Sequence, residues 1–251
     1  MTRERLVKNL ILFIFILGTA AQVVGEVFIV PKPKEVSNQS DSFKLDNTIG
    51  IIIATNDTIG VMLGINQLMA EMRRFNGPQL IIDGQKDQVL HIGIPAQDEA
   101  FVELCNQRGV LPENRIGDEG YVLDIGPEKI IVAANTKSGI FYGIQSLKQI
   151  IRGSENKGEI PCMRIVDWPD LDFRAVQDDI SRGPIPTLDF MKSQVRRLSE
   201  LKINGLSYYI EHVVKTKSHG DFSPASGISA CQRQAPLFLK PGGNCAGNRP
   251  S

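Results

Sequence analysis

Hydrophobic positions follow two different spacings along most of the chain. Short apolar runs rich in β-branched side chains predict strands at residues 27–30, 49–54, 80–82 and 89–94. Apolar side chains at helical spacing predict two helices, at residues 60–75 and 98–108. The run at 49–54 has no polar face, so we expect that strand to be covered on both sides of its sheet.

A hairpin and a long helix follow. Residues 120–125 and 129–134 are apolar runs separated by a Gly-Pro-Glu connection, which predicts an antiparallel pair. Residues 136–152 then show helical spacing. Gly139 and Gly143 lie in this helix, and because glycine has no side chain we expect them to let it approach the sheet closely.

The stretch from residue 163 to 182 predicts a strand, a tight turn and a second strand. Asp167-Trp168-Pro169-Asp170 supplies the turn, because proline cannot donate to a ladder and aspartate bonds its own backbone. Thr187 is a candidate N-cap for the amphipathic helix that follows. Asn204-Gly205 is expected to close that helix in the left-handed conformation. Residues 206–211 predict another strand, which completes one βαβ unit.

Both ends of the chain differ from the periodic region. A basic start, an apolar run at 10–17 and small residues after it indicate a secretory signal over residues 1–25, and therefore export. The run is shorter than the roughly 20 residues of a spanning helix, so an uncleaved anchor is the less favoured alternative and no stable membrane span is expected. Residues 215–251 are predicted to be an irregular, disordered tail, and the periodicity disappears from about residue 228.

The composition excludes several kinds of partner. The 251 residues carry a formal net charge of +0, whereas binding to nucleic acid requires a basic face. None of the four cysteines lies in a CxxC pair, so we expect no metal site and no cofactor. Cys105 and Cys162 form either a disulfide in an oxidising compartment or two buried free thiols, and the sequence leaves both alternatives open.

Three short motifs in the later stretch resemble a known family. The runs Asp167-Trp168-Pro169, Phe173-Arg174-Ala175-Val176 and Asp179-Ile180-Ser181-Arg182 resemble the opening of the catalytic barrel in family 20 glycoside hydrolases, the β-N-acetylhexosaminidases. Members of that family read there as D-x-P, then an aromatic residue before R-G-x-x-x-D-x-[SA]-R. Ala175 stands where the family usually has glycine, and Asp178 stands where an apolar residue is common.

The earlier part of the chain resembles the domain that precedes this barrel. The resemblance lies in residues 30–34, 120–123 and 139–147, in the order expected of the family's non-catalytic N-terminal domain. It implies an α+β fold, a mixed sheet with helices on one face, over residues 27–162. It also implies that residues 163–214 are the first strands and helix of an incomplete (β/α)8 barrel, because a full barrel needs about 200 residues or more.

The resemblance implies a hydrolase that removes terminal N-acetylhexosamine residues from amino-sugar glycans. In this family the substrate's own acetamido carbonyl is the nucleophile, oriented by an Asp beside the acid Glu on a later barrel strand. This sequence has no counterpart of that pair, so no catalytic residue is assigned and we expect a truncated, inactive chain. The alternative is an exported, non-catalytic module that binds carbohydrate or a partner protein.

Arg174 is the candidate substrate-binding residue. It matches the family arginine that forks onto sugar hydroxyls, a task that suits its planar donors. The alternative is that Arg174 only pairs with a carboxylate at a strand end. For Asp179 and Arg182, which also match the motif, we expect an ion pair that braces the first barrel strand. Asp178 and Asp179 are neighbours on a strand and face opposite ways, so they cannot form a converging carboxylate pair.

Other polar and aromatic positions have a functional and a structural interpretation. Glu211-His212 ends the second barrel strand, where barrel enzymes place their chemistry, although an ordinary solvated strand end fits equally well. His91 lies in an apolar run, which favours a core residue over a metal ligand. Tyr208 and Tyr209 alternate in direction, so only one of them could stack on a sugar ring, and core packing is favoured.

Overall fold

The computed structural model describes residues 28–45, 48–84, 86–154, 158–181, 184–209, 214–216 and 220–222. The helices in these ranges are α1 (Thr58–Arg74), α2 (Glu99–Arg108), α3 (Lys137–Gly153) and α4 (Leu188–Glu200). The strands are β1 (Glu35–Lys44), β2 (Ile49–Ala54), β3 (Leu80–Ile82), β4 (Gln88–Gly93), β5 (Tyr121–Ile125), β6 (Lys129–Ala134), β7 (Glu159–Asp167), β8 (Ala175–Asp179), β9 (Gly205–Tyr209), β10 (Val214–Thr216) and β11 (Gly220–Phe222).

A seven-stranded mixed sheet organises the first part of the chain. Its strand order is β1-β7-β5-β6-β4-β2-β3. Strands β3, β2, β4 and β6 are parallel to one another, whereas β5 runs antiparallel to β6 and to β7. The predicted hairpin is the β5–β6 pair, and the predicted mixed sheet of an α+β fold is confirmed. We call the sheet and its helices, through residue 168, the sheet module.

Two apolar cores lie on opposite faces of this sheet. On one face the two long helices α1 and α3 pack against inward side chains such as Ile51, Leu123 and Val132. On the other face the short helix α2 packs through Phe101 and Cys105 against the alternate positions of the central strands, so the expected placement of the helices on one face holds only for α1 and α3. Side chains on a strand alternate between faces, so β2, β5 and β6 are buried on both sides, as predicted for β2.

Capping residues and close-packed glycines fix the helices where the pattern predicted them. Asp57, Asp98 and Thr136 each accept hydrogen bonds from backbone N–H groups of the first turns of α1, α2 and α3. A Cβ on Gly139 would overlap the carbonyl oxygen of Gly120, and one on Gly143 would lie 2.7 Å from a methyl group of Val132. The close approach of α3 to the sheet therefore requires glycine at these positions.

The first strand is not where the apolar run predicted it. Residues 28–30 of the predicted strand have no strand conformation, and residue 27 lies outside the described residues. The edge strand beside β7 is β1, a polar segment that the hydrophobic pattern did not predict. Its pairing with β7, from Glu35 opposite Val166 to Lys44 opposite Glu159, uses backbone groups and leaves most side chains exposed. An edge strand of this kind needs no apolar alternation.

Strand β7 crosses the domain boundary that the resemblance implied. The predicted first barrel stretch began at residue 163, but Met163–Asp167 pair with β5 and with β1. Residue 162 therefore lies inside a strand of the sheet module. The sequence pattern could not show this, because an apolar strand reads the same whichever sheet it joins.

Strands β8 and β9 and helix α4 form the predicted βαβ unit. Strands β8 and β9 are parallel, with Ala175 opposite Gly205 and Asp179 opposite Tyr209. The hydroxyl of Thr187 accepts a hydrogen bond from the N–H of Phe190, as expected of its N-cap. The helix does not end at Asn204-Gly205, however. The left-handed residue is Lys202, with φ 60°, and the N–H of Ile203 donates to the carbonyl oxygen of Leu198 at 3.0 Å, which closes the helix there.

The outer surface of the βαβ unit is apolar and exposed. No residue of α4 is buried, although its sequence is amphipathic. Phe190 is 53% exposed, and other large apolar side chains of this part of the chain are exposed as well, namely Leu171, Phe173, Ile185, Leu188 and Leu201. A surface of this kind normally packs against further elements.

The chain beyond the βαβ unit is described only in part. Within the predicted irregular tail, residues 215–216 and 220–222 form the antiparallel pair β10–β11, which corrects the prediction there. The rest of the tail and the predicted signal segment lie outside the described residues. Among the helices that the structure describes, none has the length and apolar character to span a membrane.

Candidate functional site

The carboxyl ends of β8 and β9 are where a βα barrel would place its chemistry. Asp178 on β8 accepts a hydrogen bond from the side-chain amide of Gln194 on α4, at 2.9 Å. The carbonyl oxygen of the same amide accepts a hydrogen bond from the hydroxyl of Tyr208 on β9, at 2.7 Å. One chain of hydrogen bonds thus ties the two strands to the helix, and it positions a carboxylate and a phenol near the strand ends.

Asp179, the last residue of β8, has a local partner. One of its carboxylate oxygens accepts from the backbone N–H of Ser181 at 2.9 Å, and the hydroxyl of Ser181 also donates to it. The predicted ion pair with Arg182 lies outside the described residues, as does Glu211-His212. The two neighbouring aspartates therefore have different partners, so each carboxylate is held separately.

Arg174 lies at the opposite, amino end of β8, immediately before the strand begins. Its guanidinium donates to the carbonyl oxygens of Lys202 at 2.8 Å and Leu171 at 2.5 Å. It also forms an ion pair with Glu119 of the sheet module, at 2.5 Å. These contacts match the alternative in which Arg174 pairs with a carboxylate at a strand end. Sugar binding by Arg174 stays a prediction.

Lys202 forms a buried link between the βαβ unit and the sheet, and the sequence did not single it out. Its ammonium group donates to the carboxylate of Asp167 at 2.7 Å and to the hydroxyl of Tyr121 at 2.9 Å. Burial lowers the pKa of Lys202, against the opposing effect of Asp167. Burial likewise raises the pKa of Tyr121 well above its usual value, so the phenol remains a neutral hydrogen-bonding partner.

Asn204 fixes the strand start beside this link. Its side-chain oxygen accepts from the backbone N–H of Arg174 at 2.8 Å. Its amide nitrogen donates to the carbonyl oxygen of Asp172 at 2.6 Å and to the carboxylate of Glu119. An Asn-Gly pair normally signals a turn. Here the asparagine instead joins the first residues of β8 and β9 to the sheet module.

A second ionic link holds the end of α4 against α3. Glu200 accepts from Lys148 at 2.9 Å and from Arg152 at 3.3 Å. Arg152 also pairs with Glu71 of α1, at 2.9 Å. Burial alone would raise the pKa of Glu200, but the hydrogen bonds and charges of Lys148 and Arg152 outweigh it and lower that pKa. We call the contacts of Arg174, Lys202, Asn204 and Glu200 with the sheet module the junction.

The remaining candidates have structural environments. Cys105 and Cys162 are free and buried, which settles the alternatives in favour of thiols, and burial raises the pKa of Cys105 to about 12 and of Cys162 to about 11. His91 is half-buried in β4, and burial together with the charge of Lys129 lowers its pKa. Among the described residues, no group of histidine, cysteine, aspartate or glutamate side chains is arranged to hold a metal ion.

The sequence matches a family that fits this architecture. The family described as glycosyl hydrolase family 20, domain 2, matches residues 26–168, which is more than half of the 251 residues. The matched range begins just before the described residues and ends one residue after β7. It therefore coincides with the sheet module.

Two curated relatives agree with the family match. The chain is 23% identical over 189 residues to a beta-hexosaminidase of Porphyromonas gingivalis, a match that covers 72% of this chain and 22% of that protein. It is 24% identical over 218 residues to the beta-hexosaminidase subunit beta of Entamoeba histolytica, covering 77% of this chain and 38% of that protein. The chain thus spans well under half the length of each relative.

A solved structure shows the same fold. The GH20 exo beta-N-acetylglucosaminidase of Vibrio harveyi, solved in complex with N-acetylglucosamine, superposes with a TM-score of 0.56 at 19% identity, covering 72% of this chain and 25% of that one. The family match and the sheet module occupy the same residues. The chain therefore belongs to glycosyl hydrolase family 20 and carries that family's domain 2.

Proposed function

We propose that the protein is a glycoside hydrolase of the β-N-acetylhexosaminidase type by descent, and that these residues form its supporting module and the first βαβ unit of its barrel. The observation that carries the proposal is the family match over residues 26–168, followed in the chain by a parallel strand–helix–strand unit. The beta-hexosaminidases among the relatives support the same reaction class.

The junction suggests what the sheet module contributes. Glu119 holds the start of β8 through Arg174, and Asp167 holds Lys202, which lies between α4 and β9. Lys148 and Arg152 hold the end of α4 through Glu200. A barrel enzyme aligns several strand ends to within fractions of an ångström, and supporting contacts on rigid elements provide that precision. We propose that the module fixes the direction of β8, and with it the position of the residues at the carboxyl end of that strand.

We propose that this chain does not cleave glycosides by itself. Glycoside hydrolysis needs a protonated carboxyl group at the leaving oxygen and a second group that stabilises the positive centre. At the described strand ends, the carboxylates of Asp178 and Asp179 accept hydrogen bonds from Gln194 and Ser181. Because different partners hold the two carboxylates, they do not form the converging pair of carboxyl groups that the reaction uses. Amino-sugar glycans are therefore proposed substrates of the longer family proteins.

Export is part of the proposal and rests on the sequence. The basic start, the apolar run and the small residues of positions 1–25 are typical of a secretory signal. The test is a fusion of residues 1–25 to a reporter enzyme that is active only after export, with a fusion that lacks these residues as the control.

Turnover of a chromogenic N-acetyl-β-glucosaminide tests the catalytic part. With purified chain we expect no release of the chromophore above the rate in buffer, while a complete family 20 enzyme serves as the positive control. Turnover that disappears in Asp178→Asn would contradict the proposal. Retention of the chain on an immobilised N-acetylglucosamine polymer, without turnover, would instead favour the alternative of a carbohydrate-binding module.

A further inference from the structure

The junction lines a cavity at the end of β8 opposite the strand ends where a barrel places its chemistry. Its volume is about 270 Å³, and residues of the sheet module, of the N-terminal segment and of the βαβ unit line it. Arg174 is among the lining residues, which places the cavity at the amino end of β8. Ligand sites commonly form between packed units in this way.

A buried hydroxyl group at this cavity has no acceptor for its proton. Tyr142 of α3 is 1% exposed and lines the cavity, and its hydroxyl makes no hydrogen bond among the described residues. The guanidinium of Arg174, whose central carbon lies 5.8 Å from the ring centre, can only donate, so it cannot accept the phenol proton. Burial raises the pKa of Tyr142 to about 12, and the group therefore keeps that proton at neutral pH.

The charges around the cavity leave a cation in excess. Four cations and three carboxylates line it. Three ion pairs account for most of them, namely Lys34 with Asp170, Arg174 with Glu119 and Lys202 with Asp167. Lys32 remains, and within the described part of the chain no carboxylate pairs with it. The buried donor calls for a hydrogen-bond acceptor. Lys32 is exposed to solvent, and its positive charge beside the cavity favours an acceptor that is an anion.

The remaining lining residues indicate the chemical character of the rest of the ligand. Pro31, Pro169 and Leu171 contribute aliphatic surface, and Trp168 contributes an aromatic ring. The apolar lining residues favour an apolar group, and Tyr142 and Lys32 favour an anion. Together they fit a molecule that is apolar at one end and anionic at the other. We propose that this cavity binds a small carboxylic acid with an apolar body, whose carboxylate accepts the hydrogen bond of Tyr142 and faces Lys32. This inference is independent of the proposed function.

Tryptophan fluorescence can report binding in this cavity. Trp168 is the single tryptophan of the sequence, and it lines the cavity. Benzoate is the probe, added to the full chain at neutral pH while tryptophan fluorescence is recorded. Benzamide, which has the same shape without the charge, is the matched neutral probe. We expect a saturable change with benzoate, and at least several-fold weaker binding of benzamide.

Two substitutions test the polar contacts. Tyr142→Phe removes only the oxygen, and because the phenol proton has no acceptor and Arg174 keeps its contacts with Glu119, Lys202 and Leu171, the variant should still fold. We expect it to weaken benzoate binding by about 2- to 10-fold, the value of one hydrogen bond. Lys32→Met should weaken binding of benzoate but not of benzamide. Tyr208→Phe and Lys192→Met, at sites away from the cavity, are the matched controls and should bind benzoate normally.

Thermal unfolding gives a second, independent measure. A ligand that binds only the folded state raises the midpoint of unfolding as its concentration rises. Benzoate should therefore raise the midpoint of the original chain more than that of Tyr142→Phe. The proposal is wrong if neither fluorescence nor midpoint responds to benzoate, which would leave water as the occupant. It is equally wrong if Tyr142→Phe and Lys32→Met bind benzoate as well as the controls do.

Discussion

At the scale of single residues, Lys202 shows how tertiary contacts override local preference. It follows an amphipathic helix whose polar positions carry several basic residues, so its position suggests a solvated side chain. Its side chain is instead 9% exposed and paired with Asp167. A non-glycine residue in the left-handed region has an energetic cost of about 1–2 kcal/mol. The buried ion pair, together with the hydrogen bond from Arg174 to the carbonyl of Lys202, holds this residue there.

Asp167→Asn tests the buried ion pair. The substitution keeps the size of the side chain but leaves the ammonium of Lys202 without its counter-charge. Removal of one partner of a buried pair typically destabilises by roughly 3–5 kcal/mol. We therefore expect a loss of about 3 kcal/mol in the free energy of unfolding, measured by urea denaturation with the slope held common between variants.

Asp170→Asn is the matched control for that prediction. Asp170 pairs with Lys34 at the surface, where its side chain is 78% exposed. Exposed pairs contribute about 0–1 kcal/mol, so we expect little change. The double variant Asp167→Asn with Lys202→Met should recover part of the loss, because no uncompensated charge remains. Equal effects of the two asparagine substitutions would contradict the interpretation.

At the scale of elements, the helices whose ends are set by local sequence signals were predicted correctly. Helices α1 to α3 begin at side-chain caps and end near the predicted stops, and α2 closes at Gly109 with φ 65°. Strand β1 was missed because it is polar and pairs through its backbone, which leaves no periodic signal. Caps and apolar spacing specify the helices locally, whereas the conformation of an edge strand depends on pairing with its neighbour.

Gly139→Ala tests the contact of α3 with the sheet. Alanine is the better helix former by about 1 kcal/mol, but its Cβ would overlap the carbonyl oxygen of Gly120. We expect a net destabilisation of roughly 1–3 kcal/mol, because backbone cannot move aside as a flexible side chain does. Gly153→Ala, in the same helix with open space around it, should stabilise by up to about 1 kcal/mol. Chemical denaturation of both variants measures the contrast.

The link at the end of α4 makes stability depend on acidic pH. The pKa values of Glu200 and Glu71 are lower in the folded chain than their usual value of 4.5. Between the lowered value and 4.5 the unfolded chain binds more protons, so stability is present above about pH 4.5 and is lost as the pH falls through the folded pKa. We expect Glu200→Gln to flatten this decline. The free energy of unfolding at pH 3 to 7 measures it, and an unchanged profile would exclude the link as a contributor.

At the scale of the whole molecule, the chain has a well-buried part and a weakly covered part. The sheet module encloses two cores, whereas none of the residues of α4 is buried. The βαβ unit is held to the module mainly by the polar contacts of the junction. Regions with few buried apolar contacts open at lower free energy than the core, so the unit should be the first part to open.

Limited proteolysis measures that difference. We expect early cleavage beyond Asp170 and a resistant fragment that ends near residue 168, because the turn there connects the two parts. Glu200→Gln should accelerate the first cleavage and leave the lifetime of the resistant fragment unchanged. Early cleavage inside the seven-stranded sheet would show that the sheet module does not fold as the stable part.

By itself the sequence determined the helices, the hairpin, the order of the two parts and the family, because caps, glycine stops, apolar periodicity and short motifs are local. Only the tertiary structure assigned β7 to the sheet, brought Lys202 beside Asp167, and placed Arg174 at the amino end of β8 rather than at the end where a barrel binds its substrate. These outcomes depend on which distant groups meet after folding. The sequence around a lysine or arginine does not indicate which carboxylate it will pair with in the folded chain.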